Sequence, residues 1–130
     1  MFEDFKFSER QIKNYYESAI KDFNIAQKYK NSDVAFVFSY NSLIKLAITV
    51  CAKNNLRIKS RQGHHIELIG KMAELLKDKE IEIIANEMRS KRNKSLYGGA
   101  VIITEKEART YVDFLKQVIK KTDKYLGKLI

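Results

Sequence analysis

The 130-residue sequence contains no proline, five glycines and one cysteine. Folds built from many strands need frequent tight turns, which proline and glycine favour, whereas a chain without proline leaves long helices uninterrupted. With Cys51 alone, no disulfide can form within the chain, and a reducing compartment is favoured. Cys51 lies in an apolar stretch, so we expect it to be buried packing and not a nucleophile.

Long apolar runs are also scarce. No stretch reaches the about 18 consecutive uncharged apolar residues that a membrane-spanning helix needs. The longest candidate, Val34–Ala52, is interrupted by Asn41 and Lys45. The N-terminus is short, mixed in charge and without the apolar run of a targeting signal. We therefore expect a soluble, cytoplasmic protein that does not associate with membranes.

Several kinds of chemical motif are missing as well. The sequence has no glycine-rich phosphate loop, no Gly-x-Ser-x-Gly elbow and no cluster of residues at metal-ligand spacing. His64 and His65 are adjacent, and neighbouring side chains on a helix point about 100° apart, which makes them a poor chelating pair. Local packing or hydrogen bonding is the favoured role for both histidines. We expect neither a metal nor a cofactor.

Positive charge is abundant. The chain has 25 Lys and Arg against 16 Asp and Glu, which gives a formal net charge of +9. Such a balance favours an anionic partner, with nucleic acid first and an acidic protein second. Hydrophobic residues make up 45% of the chain and charged residues 32%, a composition typical of a globular protein. We expect a single domain spanning residues 1–130.

Apolar residues recur at helical spacing along most of the chain. Ser8 with Gln11, and Thr104 with Glu107, form capping-box patterns that mark helix starts. The second helix, capped by Ser32 or Asp33, is apolar nearly all round and should be central. Between the helices we expect a basic loop over 57–63 and a short extended piece over 100–103. The predicted helices cover residues 8–30, 33–54, 63–76, 79–97 and 104 onward. The fold class is therefore all-α: a helical bundle of four to five helices with short connections.

The fourth helix ends in an unusual polar cluster. Ile81, Ile84, Ala85 and Met88 recur on its core face, and the same interval then lands on Arg92. A fixed positive charge on a packed face is costly unless a phosphate, a carboxylate or a partner subunit compensates it. An interhelical salt bridge to a glutamate is equally consistent with this spacing. Gly98-Gly99 should then end the helix.

The segment Arg92-Asn93-Lys94-Ser95-Leu96-Tyr97 resembles the Arg-x4–6-His signature of the HEPN superfamily, commonly written Arg-Asn-x-x-x-His. The resemblance extends from Ile12 to about Tyr125. It includes the order of the segments Tyr40-Asn41-Ser42-Leu43 and Gly63-His64-His65, and the capped last helix. It implies a HEPN-like helical bundle.

In the ribonucleases of this family, the arginine holds the scissile phosphate and the histidine moves protons or orients the 2′-hydroxyl. The resemblance transfers these catalytic roles to Arg92, Asn93 and Tyr97. Tyr97 occupies the histidine position, and an unperturbed tyrosine, with a pKa of about 10, is a poor general base at neutral pH. His64 or His65 could supply an imidazole only if the fold or a second subunit brings it close. Further phosphate or RNA contacts are expected from Arg89, Lys94 and Arg61.

Three functions remain open. The first is a metal-independent endoribonuclease, such as the toxin of a toxin–antitoxin pair. The second is a non-catalytic module that binds RNA, a nucleotide or a partner nucleotidyltransferase, the partner acting as antitoxin or as catalytic subunit. Tyr97 would also suit nucleotidylation by such a partner. The third is a structural bundle whose basic faces only confer solubility. The first two predict a homodimer in which the two copies of Arg92 face each other across a cleft.

Overall fold

The computed structural model describes residues 2–59, 64–98 and 103–127, with the side chains of 95–98 left aside. Within this part of the chain there are five helices and two short strands, which confirms the predicted all-α helical bundle. The helices are α1 (Glu9–Lys28), α2 (Ser32–Lys53), α3 (His64–Leu75), α4 (Lys79–Gly98) and α5 (Glu105–Leu126), and the strands are β1 (Phe2–Asp4) and β2 (Leu56–Ile58).

Both capping boxes form as the sequence predicts. Ser8 accepts a hydrogen bond from the backbone of Gln11, and Thr104 does so from Glu107. The cap of α2 differs from the prediction, because Asn31 precedes the helix and its side chain accepts from the backbone of Val34. Asn31 has the extended backbone that a cap requires, and so Ser32 already lies inside the helix.

The second helix, α2, is the centre of the bundle and packs against α1, α3 and α5. Most of its apolar side chains are buried, and those of Leu43, Leu46 and Val50 are fully so. Cys51 is buried among them, and this burial raises the pKa of its thiol from 9.0 to about 12. A thiol held in its neutral form is inert, as expected for a cysteine that only packs.

By length and composition, α2 is the one helix in the described ranges that could cross a membrane. This differs from the prediction, which excluded such a span because of Asn41 and Lys45. However, 61% of its apolar window is buried inside the bundle, and Lys45 forms an ion pair with Asp22 of α1 at 2.7 Å. The apolar character of α2 is that of a helix that packs in the core of the bundle.

The expected basic loop after α2 begins instead as strand β2, which pairs antiparallel with β1. Glu3 lies opposite Arg57, and their side chains form an ion pair at 2.5 Å. The Arg57 guanidinium also lies 4.1 Å from the ring centroid of Phe5. Each strand is three residues long, too short to show an alternating pattern in the sequence. The charge of Arg57 is thus paired within the fold, by Glu3 and by the ring of Phe5.

Side chains of α5 hold α4 in place. Lys91 pairs with Glu107, and the hydroxyl of Tyr111 donates to Glu87. Three residues of the predicted core face of α4 are buried, since Ile81, Ala85 and Met88 are each no more than 3% exposed, whereas Ile84 is only partly buried. Most of the predicted extended piece, residues 100–102, lies outside the described residues. The C-terminal half of α4 thereby carries Arg89 and Arg92 towards α2 and α3.

Candidate anion-binding site

Arg92 follows the buried Met88 by one helical turn, and its guanidinium lies over the ring of Tyr40. Its guanidinium carbon lies 5.3 Å from the centroid of the Tyr40 ring, and its side chain is partly buried. Arg89, one turn earlier, is also partly buried, and its Nε donates to the Oδ1 atom of Asn86 at 3.2 Å. The stacking of a guanidinium on an aromatic face is favourable and leaves the outward N–H groups available to a ligand.

The interhelical salt bridge, which the sequence left open for Arg92, is not found. Within the described ranges, no Asp or Glu pairs with Arg89 or Arg92. The remaining segments of the chain contain neither Asp nor Glu. Two partly desolvated guanidinium groups without a carboxylate are an arrangement that an external anion stabilises.

His65 joins this group from α3. Its Nδ1 lies 2.8 Å from the hydroxyl oxygen of Tyr40, and the two ring centroids are 5.6 Å apart. Tyr40 is only 1% exposed and His65 is partly buried, so the hydrogen bond is partly shielded from solvent. We call Arg89, Arg92, Tyr40 and His65 the Arg92 cluster. The fold thus brings one of the two histidines to the arginine motif, which the sequence had left conditional.

The first turn of α3 carries further polar groups beside the cluster. The ring of His64 meets that of His65 edge-on, with centroids 4.9 Å apart. The Nδ1 atom of His64 and the Oε2 atom of Glu67 are buried and have no hydrogen-bond partner within the described residues.

Burial keeps the two aromatic members of the cluster, Tyr40 and His65, neutral. Burial lowers the pKa of His65 from 6.5 to about 4, and the neighbouring His64, Arg92 and Arg89 act in the same direction. Burial raises the pKa of Tyr40 from 10.0 to about 12, although Arg92 and Arg89 oppose this change. At neutral pH the cluster therefore carries the two arginine charges, a neutral imidazole and a neutral phenol.

The other predicted site residues are distributed as follows. Asn93 is partly buried next to Arg92, and Lys94 is exposed on α4. The backbone of Tyr97 is helical, since α4 continues to Gly98, but its side chain and all of Arg61 lie outside the described residues. In the part of the chain that the structure describes, no three His, Cys, Asp or Glu side chains are grouped to hold a metal ion.

Two members of the cluster, Tyr40 and His65, were not predicted as site residues. The available signal was weak: Tyr40 belongs to the narrow polar strip of an otherwise apolar helix, and His65 is the second residue of a helix. Neither pattern predicts which residue of another helix the side chain of Tyr40 or of His65 will contact. The resemblance to the HEPN superfamily remains a prediction. Comparisons with family models, with curated proteins and with solved structures find no match for this chain.

Proposed function

We propose that this protein is a HEPN-like, RNA-directed protein whose Arg92 cluster binds a phosphate of the RNA backbone. The observation that carries the proposal is the pair of partly buried arginines, one stacked on Tyr40, with no carboxylate partner in the described residues. Arginine presents a planar fork of N–H donors that matches phosphate oxygens. Phosphate is therefore the counter-charge that suits this site.

The choice of nucleic acid over a small anion follows from the charge of the whole chain. The net charge of +9 attracts a polyanion over long distances. Lys94 is exposed next to the cluster, and Lys116, Lys120 and Lys124 are exposed along α5. Within the class of nucleic acids, the resemblance of the Arg92–Tyr97 segment to the HEPN signature favours RNA. A soluble, cytoplasmic protein would meet RNA directly.

The activity that suits this arrangement is metal-independent endoribonuclease activity, as in a toxin of a toxin–antitoxin pair. The 2′-oxygen would attack the adjacent phosphorus and expel the 5′-oxygen of the next nucleotide, which gives a 2′,3′-cyclic phosphate; water would accept the proton of the 2′-hydroxyl and protonate the leaving oxygen. Arg92 would stabilise the charge that develops on the phosphoryl oxygens during this attack. Asn93, next to it on α4, would hold Arg92 or the ribose. Tyr97 would orient the attacking hydroxyl, and His65 places an imidazole in the same cluster.

A second candidate is a non-catalytic module, and the state of His65 favours it. An imidazole with a pKa of about 4 is a weak base at neutral pH, whereas general base catalysis works best with a pKa near the operating pH. In this case the cluster would bind RNA or a nucleotide without cleaving it. The protein partner would then be a cognate antitoxin or a nucleotidyltransferase subunit, for which Tyr97 is a suitable acceptor.

We propose a homodimer in which α4 near Arg92 contributes to the interface. Arg89 and Arg92, which are partly buried, and Lys94, which is exposed, give a small subunit a basic surface on α4 that a second copy, bridged by one RNA strand, would complete. Light scattering at micromolar concentration is expected to give twice the chain mass of 15.2 kDa. A monomer under these conditions, with and without RNA, would contradict the dimer and leave the Arg92 cluster to act alone.

The direct test of RNA binding compares Arg92→Ala with Lys120→Ala. Arg92→Ala should weaken binding of a single-stranded oligoribonucleotide by about 10- to 100-fold, because a partly desolvated charged hydrogen bond is lost. Lys120 is exposed on α5, so its removal should change affinity by about twofold or less. Fluorescence anisotropy at several salt concentrations measures both variants, and binding of wild type should weaken as salt increases. Equal losses of RNA affinity in the two variants would mean that Arg92 acts only as part of a diffuse basic surface.

A further inference from the structure

Tyr40 is a buried polar side chain in the middle of the most apolar helix of the bundle. Its side chain is among the largest that are fully buried, at 1% exposure. A phenol in that position normally needs a hydrogen-bond partner, because an unsatisfied hydroxyl is costly to bury. The partner is the Nδ1 atom of His65 at 2.8 Å, while the face of the same ring carries the guanidinium of Arg92. Tyr40 therefore touches both α3 and α4 at the cluster.

The direction of this hydrogen bond follows from the chemistry of the two groups. Tyr40 keeps its proton, since burial raises its pKa to about 12. His65 is neutral near pH 7, so one of its ring nitrogens has a free lone pair and the other carries a proton. An imidazole lone pair is a much better acceptor than a phenol oxygen, and a phenol is a good donor. The stable arrangement is O–H donating to Nδ1.

We propose that Tyr40 is a positioning residue whose hydroxyl fixes His65 as the neutral tautomer with its proton on Nε2, so that His65 donates a hydrogen bond to the phosphate held by Arg92. The identity of that anion rests on the proposed function. In this arrangement the arginines supply positive charge, and the neutral imidazole of His65 donates a hydrogen bond from Nε2. A neutral imidazole can polarise a bound group in this way without transferring a proton.

The groups that lie next to His65 favour its neutral form. Tyr40 of α2 donates to it, His64 of α3 meets its ring, and Arg89 and Arg92 of α4 place positive charge beside it. Each of these groups disfavours a second proton on the ring. A bound phosphate has the opposite effect, because its negative charge stabilises the imidazolium. Phosphate binding and protonation of His65 are thereby coupled.

The test uses 15N NMR of the imidazole in the full-length protein, with Tyr40→Phe as the variant. In wild type we expect Nδ1 to have the shift of an unprotonated nitrogen and Nε2 that of a protonated one, with no titration of His65 between pH 6 and 8. Tyr40→Phe keeps the ring under Arg92 and removes only the donor. It should raise the pKa of His65 by about 0.5–1, because the neutral form loses a hydrogen bond.

Tyr16→Phe is the matched control. Tyr16 is also a buried tyrosine, and its hydroxyl donates to Asp123 at the contact of α1 with α5. Its loss should lower stability to a similar degree while leaving the nitrogen shifts and the pKa of His65 unchanged. Circular dichroism and thermal unfolding of both variants show whether each is folded. A merely structural role for Tyr40 would make the two variants alike.

Binding of a single-stranded oligoribonucleotide links the tautomer to function. At pH 8, Tyr40→Phe should bind about 3- to 10-fold more weakly than wild type. The difference should shrink only as the pH falls towards the pKa of His65, about 4, because a protonated imidazole carries protons on both nitrogens and no longer depends on Tyr40. Phosphodiester groups do not titrate in this range.

The outcomes separate the two proposals. A proton on Nδ1 in wild type, or an unchanged pKa of His65 in Tyr40→Phe, would overturn the role of Tyr40 whatever the RNA result. If the NMR results hold and wild type binds no RNA, the proposed function falls and the tautomer assignment stands. If RNA binds equally well to wild type and Tyr40→Phe at pH 8, His65 does not contact the phosphate.

Discussion

RNA cleavage in the presence of EDTA is expected to fall at least about a hundredfold when Arg92 is replaced by alanine. The guanidinium of Arg92 is partly buried against Tyr40 and has no carboxylate partner in the described residues, so its charge is available to the phosphate. Charge that develops on phosphoryl oxygens is stabilised most by donors already fixed in a partly desolvated place. EDTA is used because the sequence offers no recognisable set of ligands for a divalent ion.

Three further variants define the chemistry of cleavage. Lys120→Ala should leave the rate within about twofold of wild type, since Lys120 is a solvated side chain on α5. Tyr97→Phe removes only the hydroxyl proposed to orient the nucleophile and should lower the rate. Tyr97→His should maintain or raise it, because an imidazole with a pKa of about 6.5 is the better proton carrier at neutral pH.

The pattern of rates decides between the candidate functions. Inactive wild type with a gain of cleavage in Tyr97→His would identify an inactive descendant of the ribonuclease family. Absence of cleavage in every variant, with RNA binding retained, would favour the non-catalytic module. Cleavage by wild type that persists in Arg92→Ala would refute the Arg92 cluster as the active site.

Leu46→Ala is expected to lower the free energy of unfolding by about 2–5 kcal/mol. Leu46 is fully buried in α2, at the centre of contacts with α1, α3 and α5. The substitution removes apolar contacts and leaves a cavity that a tightly packed bundle can close only in part. A domain of this size has a total stability of about 5–15 kcal/mol, so the loss would be a large fraction of it. Urea denaturation followed by circular dichroism measures the change.

Val37→Ala in the same helix is the control for this measurement. Val37 is 48% exposed, so its truncation loses less buried surface and should cost less than about 1 kcal/mol. Equal costs for Leu46→Ala and Val37→Ala would mean that α2 is not the central helix. Because Tyr40 is carried by α2, such a result would also remove the basis for the Arg92 cluster.

The sequence by itself determined the helical bundle. Its absence of proline, its helical spacing of apolar residues and its two capping boxes are local properties, since they depend on residues three or four positions apart. The near-continuous apolar surface of α2 was enough to identify the central helix. The position of Arg92 beyond Ile81, Ala85 and Met88 on the core face of α4 was likewise readable from spacing alone.

Only the tertiary structure decided what Arg92 meets. Tyr40, His65 and Arg92 come from three helices and are at least 25 residues apart along the chain. Their contact depends on how α2, α3 and α4 pack, and no local pattern encodes that. The pairing of β1 with β2 was not predicted for the same reason, since it joins Glu3 to Arg57, which lie on either side of α1 and α2 in the sequence. Helical periodicity fixes which face of a helix is buried, whereas the packing of helices fixes which buried groups become neighbours.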